Sequence, residues 1–303
     1  MLMAAMQTAR RMMDANAMVQ PGALSRAIRR ALHFARRFKA AAAGLVFLIC
    51  IALGAIFAPL LSPHHPTQPN IPERFKPPGG QYVLGTDDLG RDIATRILYG
   101  ARNTLAAGAL SVALASLIGS AIGIAAAYRG GWLDNLLMRL MDVALSFPAI
   151  LLAILVVASL RPGMANLVIA ITFSLVPTFA RLVRSVVMGL MHLEHVAASR
   201  ALGAGDWHII VRHIVPNTAP LILIQATAAL AVAISTAAAL NYLGLGVEPP
   251  QPDWGLMVAE GQKHVFSAAH IPLIPGIFIT IAVLSVNFIG DAVRDYLDPL
   301  LKR

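Results

Sequence analysis

The chain has 303 residues, of which 57% are hydrophobic and 13% charged, with a mean hydropathy of +0.70; soluble domains carry roughly 25% charged residues. An ordinary water-soluble globule is excluded, and the first question is how often the chain crosses a bilayer. The formal charge is +9, but the basic residues stand at the edges of apolar runs and meet aromatics only in short pieces such as RRFK and RFK, which argues against an extended base-stacking nucleic-acid surface.

Residues 1–39 form a basic tail with Arg10, Arg11, Arg26, Arg29, Arg30, Arg36, Arg37 and Lys39. Residues 40–61 carry no charge and are long enough to cross roughly 30 Å of hydrocarbon as a helix. The run exceeds the usual apolar core of a signal peptide and no A-x-A site follows it, so it is expected to remain as span one. The only cysteine, Cys50, falls inside it and is expected to be a small buried packing residue. Residues 62–80 hold six prolines and predict an extended surface connection with only short helices. In the following GTDDLGRD, the charge pattern suits a cap on the next helix. Asp87, Asp88, Arg91 and Asp92 are also candidate contacts for an external partner, as is Trp254 further on.

Further uncharged runs at 103–128, 143–160, 167–180, 219–247 and 271–290 bring the total to six. The fourth is short, contains Pro177 and must continue past Arg181 and Arg184, whose stems are expected to snorkel to the interface. In span two, Ala115, Gly119, Gly123 and Ala127 place small side chains on one face, where another helix can approach closely. At the start of span three, Arg139 and Asp142 are spaced for a local salt bridge.

The sequence therefore predicts an all-α polytopic membrane protein with about six transmembrane helices. With six spans both termini share one side, and the arginine-rich tail marks that side as cytoplasmic; 17 Lys and Arg residues then fall inside and 7 outside, as the positive-inside rule requires. The expected organisation is a basic cytoplasmic tail at 1–39, a first transmembrane helix with an extracytoplasmic segment at 40–102, and a core at 103–303. That core holds five transmembrane helices and a cytoplasmic loop at 191–218.

No G-x-x-x-x-G-K-[ST] occurs, and none of Lys39, Lys76, Lys263 and Lys302 follows a glycine, so the chain supplies no P-loop. No hydrolase or kinase signature appears either. The span centres lack the ionisable groups that proton-coupled carriers place at depth. His64, His65, His264 and His270 are loop histidines, expected to be solvated rather than to gather round a metal.

The cytoplasmic stretch 191–218 is the most informative. Glu194 to Leu202 suits a short helix, Gly203 a left-handed stop, and Asp206 the cap of a second helix that Pro216 ends. Trp207, Ile210, Val211 and Ile214 fall at i, i+3, i+4 and i+7 on that helix, which predicts one apolar face. Such a pair suits a contact with a cytoplasmic partner, and equally a helix lying on lipid.

The stretch EHVAASRALGAGDWHIIVRHIVPN resembles the coupling loop of permeases in ATP-binding-cassette importers, with Glu194, Ala198, Gly203, Ile214 and Pro216 in matching places. The Glu-Ala-Ala triplet of that loop is here Ala197, Ala198, Ser199. LGTDDLGRDIATRILYGAR, GGWLDNLLMRLMDVALSFP, LNYLGLGVEPPQPDWG and NFIGDAVRDYLDPLLKR resemble the C-type permease of the dipeptide, oligopeptide and nickel branch. The resemblance implies a type I importer permease fold in a bacterial inner membrane and import of di- or oligopeptides, glutathione or chelated nickel. It also implies a second homologous permease, two cytoplasmic ATPase subunits that hold the ATP and magnesium, and an extracytoplasmic solute-binding protein. In that family the five loop positions would couple to the ATPases. A secondary carrier or channel is the alternative from a different class.

Overall fold

A computed structural model describes residues 38–297; the basic tail, apart from its last two residues, and the final residues of the chain lie outside them. The helices are α1 (Lys39–Ile56), α2 (Ala58–Leu61), α3 (Ile93–Arg129), α4 (Gly131–Leu145), α5 (Ala149–Ala158) and α6 (Met164–Leu190). After them come α7 (Glu194–Ala201), α8 (Asp206–Ile209), α9 (Val215–Tyr242), α10 (Trp254–Gly261) and α11 (His270–Leu297). Five of these segments are long and apolar enough to span a membrane, and α4 with α5 makes a sixth that bends by 92°. No strand forms among the described residues, as expected where backbone groups must be satisfied within a bilayer.

Span two begins at Ile93, well ahead of its uncharged run, because Asp92 caps the helix by accepting the N–H of Thr95 at 3.0 Å. A boundary at 102/103 therefore falls inside a helix. Cys50 is exposed on the outer face of α1 rather than buried, a correction that costs nothing where lipid is the neighbour.

The centre of the bundle is the seam between α3 and α6. Gly119 and Gly123 are buried there; a Cβ on Gly119 would stand 2.6 Å from Phe179 Cβ, and one on Gly123 would stand 2.5 Å from the Ala180 carbonyl oxygen. Only glycine lets the two backbones approach this closely. Around the seam, Val112, Ala115, Val157, Ile171, Leu175, Phe179, Ala233 and Leu240 form the main apolar core. A second core joins α1, α3, α10 and α11 through Ile51, Ile97, Trp254, Met257 and Ala282.

Span four is one continuous helix through Pro177, and 67% of its apolar window is buried, against 33% or less for the other four long spans. It is span three that breaks. Phe147 precedes Pro148, a position at which the helical region is disfavoured, and Pro148 takes an extended ψ of 132°. The expected local pair of Arg139 with Asp142 does not form. Asp142 pairs with Arg181 of α6, and Asp134 accepts two hydrogen bonds from Arg184, at 2.5 and 2.6 Å. The arginines of span four are thus paired with α4 rather than drawn out to the interface.

At the end of the bundle away from α7, α10 docks against α3. Asp253 caps α10 by accepting the N–H groups of Gly255 and Leu256, and it also accepts the Thr104 hydroxyl at 2.7 Å. Its burial pushes the carboxyl up to about 6, against the pull of those hydrogen bonds. A carboxyl raised in the fold holds its proton more tightly than the unfolded chain does, so stability falls as pH rises from the ordinary carboxylate value to about 6 and is level above.

Two outcomes are expected. Gly123→Ala should cost about 1–3 kcal/mol of stability by overpacking, whereas Gly276→Ala, with open space around it, should change it by less than about 0.5 kcal/mol; thermal unfolding in detergent compares them. Across pH 4 to 6 the wild-type protein should lose roughly 2 kcal/mol through Asp253. Asp253→Asn, which keeps the cap, should flatten that slope.

Candidate functional site

The predicted site residues fall at opposite ends of the bundle. At the end formed by residues 62–92 and 248–269, Asp87 is buried and receives four hydrogen bonds. The N–H groups of Leu89 and Arg91 each donate to Oδ1 at 2.9 Å, and Arg91 Nε and Arg96 Nη1 each donate to Oδ2 at 2.6 Å. The same two guanidinium groups reach Glu260 Oε2 on α10, at 3.0 and 2.9 Å. Two arginines and two carboxylates thus close a neutral cluster that ties α10 to the start of α3. A buried pair held by this many hydrogen bonds is costly to break from one side, by about 3–5 kcal/mol.

This corrects the expectation of external contacts. Asp87, Arg91 and Asp92 are buried and spent on this cluster and on the cap, while Asp88 alone of the four is partly exposed. Trp254 is 0% exposed; its indole N–H donates to the Ile97 carbonyl at 2.9 Å and its ring lies against Phe278. Gly90, at φ +74°, has the Asn70 carbonyl where a Cβ would be, which packs the proline-rich connection onto the same turn. Arg96 and Glu260 were missed in the sequence, although Arg96 stands in the first turn of a long membrane-spanning helix and Glu260 is the one charge in α10. Among the described residues no group of three or more His, Cys, Asp and Glu is placed to hold a metal; His64, His264 and His270 lie apart, beside Asp92, Asp88 and the Thr86 carbonyl respectively.

At the other end α7 stops at Gly203, whose φ is +84°. The Gly203 N–H donates to the Arg200 carbonyl and the Ala204 N–H to that of Ser199, both at 3.0 Å, the paired bonds of a Schellman stop. Gly205 rather than Asp206 occupies the cap of α8; Asp206 instead accepts the Tyr128 hydroxyl of α3 at 2.7 Å. Pro216 does not end the helix. One π turn, Ile210–Ile214, joins α8 to α9, with the Val215 N–H reaching back to the Ile210 carbonyl. Pro216 falls in the first turn of α9, where a missing N–H is tolerated, and Asn217 Nδ2 donates to the His213 carbonyl at 2.6 Å.

The π turn also shifts the helical phase. Ile209 and Ile214 point inward and join Val196 against Val183 and Val187 of α6, whereas Trp207 and Val211 point outward. Ile214 is therefore an anchor and not a surface contact, and the single apolar face expected on this helix is divided in two. Glu194, Ala198, Gly203 and Pro216 are exposed. Leu202 and Trp207, 89% and 77% exposed, project beside them as large apolar groups left largely uncovered by the described residues. The arrangement is a rigidly rooted platform whose outer surface suits an apolar contact.

Residues 119–303 match the family described as the binding-protein-dependent transport system inner membrane component. Residues 27–78 match the N-terminal TM domain of oligopeptide transport permease C. The chain is 43% identical over 274 residues to the dipeptide transport system permease protein DppC of Alkalihalophilus pseudofirmus, covering 90% of each chain. It is 43% identical to the glutathione transport system permease protein GsiD of Pectobacterium atrosepticum, covering 89% of this chain and 90% of the other. In fold it is similar to the MetNI methionine ABC transporter in an inward-facing conformation, with a TM-score of 0.55 at 20% identity over 67% of this chain and 97% of that one. With most of its length aligned to such permeases and its core matched from Gly119 onward, the chain belongs to the family of binding-protein-dependent transport system inner membrane components.

Proposed function

We propose that this chain is one permease subunit of an ATP-driven, binding-protein-dependent importer, moving di- or oligopeptides across the bacterial inner membrane by alternating access. It works with a second homologous permease, two cytoplasmic ATPase subunits that hold ATP and magnesium, and an extracytoplasmic solute-binding protein. The end bearing α7 and α8 faces the cytoplasm, as do both termini, in keeping with the excess of Lys and Arg there.

The observation that carries this reading is the divided surface of residues 194–215. Its outer side offers Glu194, Ala198, Gly203, Leu202 and Trp207 to an ATPase groove, while Val196, Ile209 and Ile214 are packed on α6 and the π turn runs straight into α9. A displacement of the outer side must move the inner side, because a close-packed contact cannot absorb it. Two spans then follow the ATPases. Glutathione is a second candidate cargo, favoured by the relative named for it; it is itself a tripeptide and asks the same of a pathway.

The test is ATP-dependent uptake of labelled dipeptide by the complete importer in proteoliposomes, with glutathione as competitor. Leu202→Asp and Trp207→Asp should each cut uptake by about tenfold or more and weaken retention of the ATPases. Being exposed, they should leave thermal stability within about 0.5 kcal/mol. Uptake that persists undiminished in both variants, or that needs no ATPase, would overturn the proposal.

A further inference from the structure

The break in span three opens a cleft of about 350 Å³ between Ala144, Leu145, Phe147 and Ala149 on one side and α6 and α9 on the other. Its wall includes Ser174 and Thr178 of α6 and Gln225 of α9. Thr178 stands next to the middle of the 27-residue α6, and Gln225 lies within about a turn of the middle of the 28-residue α9. The cleft is thus at mid-membrane depth, and its size is that of a small-ligand site.

Two independent observations show that this face does not look onto lipid. First, neither the Gln225 amide nor the Thr178 hydroxyl has a hydrogen-bond partner among the described residues; in hydrocarbon each unmet polar group costs several kcal/mol. Second, the Arg181–Asp142 pair lies on the same side of α6, one turn beyond Thr178, and its side chains are 56% and 58% exposed. At 1.5 Å per residue Arg181 is about 6 Å from the middle of α6, well inside a hydrocarbon half-thickness of about 15 Å. Charges at that depth face water or protein, not acyl chains.

We propose that this cleft is the subunit's wall of the solute pathway. In it Gln225 and Thr178 hydrogen-bond the backbone amide of a passing short peptide, and the Arg181–Asp142 pair offers opposite charges to the peptide's carboxylate and ammonium termini. The inference rests on the permease reading and adds to it the residues of this chain that meet a zwitterionic peptide on its way. A primary amide supplies both donors and an acceptor, the complement of a peptide bond. A paired but exposed guanidinium and carboxylate attract a zwitterion without holding either sign of net charge tightly, as a conducting path requires.

The chain has one cysteine, so Cys50→Ala gives a cysteine-free form of this subunit, and labelling in the complete importer is read on this subunit alone after the subunits are separated. There Gln225→Cys and Thr178→Cys should react with a charged, water-soluble methanethiosulfonate at least about tenfold faster than Val46→Cys, an exposed mid-span position on α1. Saturating dipeptide, supplied with binding protein and ATP, should slow that reaction. Rates no faster than at Val46, or fast rates that dipeptide leaves unchanged, would sink the proposal. As a second measure, Asp142→Asn should raise the uptake of an anionic dipeptide relative to a cationic one by about threefold, and Asp142→Glu should restore the wild-type ratio. The ratio is read within one variant, so a lower amount of complex cancels; an unchanged ratio removes the ion pair from the pathway. Failure of the permease reading appears separately, as the absence of ATP-dependent uptake by the unsubstituted complex.

Discussion

The close approach of α3 to α6 at Gly119 and Gly123 is the contact on which the rest of the bundle depends. Within a bilayer, apolar side chains gain little by leaving lipid for one another, so helices hold together where their surfaces fit without gaps. The glycine seam supplies that fit and makes α6 the most buried span. The cytoplasmic platform and α4 are then hung on α6. Its last turns, through Val183 and Val187, form the floor under α7 and α8, and its opposite flank holds α4 through Arg181 and Arg184.

Charge is handled in three ways that follow from the local solvent. At the end away from α7, Arg91 and Arg96 are withdrawn from water and neutralised in full by Asp87 and Glu260, which suits a clamp. Asp253 in the same region is buried without a cation, and its carboxyl is pushed up to about 6 in consequence. Arg181 and Asp142, by contrast, are paired but left open. The first arrangement gives rigidity, and the last leaves charge available to something that passes.

The six spans were legible because a bilayer imposes long uncharged runs, and the glycine seam was legible as a repeat of small residues on one face. Helix ends were less so. Span two starts at Ile93, where Asp92 caps it, and its first turn can hold Arg96 because Asp87 and the distant Glu260 neutralise that charge, the second a pairing that no local pattern contains. The break in span three left no mark in hydropathy, since a bend changes no side chain's polarity; Phe147-Pro148 was its only signal. Asp142 lies as near in sequence to Arg139 as a helix pair requires, yet Arg181 across the bundle takes it. The coupling positions were read from resemblance. Their division into an outer surface and a buried root was not, because the π turn at Ile210–Ile214 breaks the 3.6-residue period on which the expected face relied. Trp254, a large aromatic in a proline-rich connection, had the marks of an exposed anchor and is instead the largest fully buried side chain among the described residues.

The π turn fixes an angular phase. Each residue in a helix advances the side chains by about 100°, so one additional residue between Asp206 and Val215 sets which sector of span five stands beneath Trp207. A single deletion in this segment, which would leave every buried apolar group chemically intact, would rotate the platform by that amount relative to the cleft wall at Gln225. The length of the segment is therefore an indexing element, like the key on a shaft, and single-residue insertions or deletions there carry a consequence quite unlike that of substitutions at the same positions.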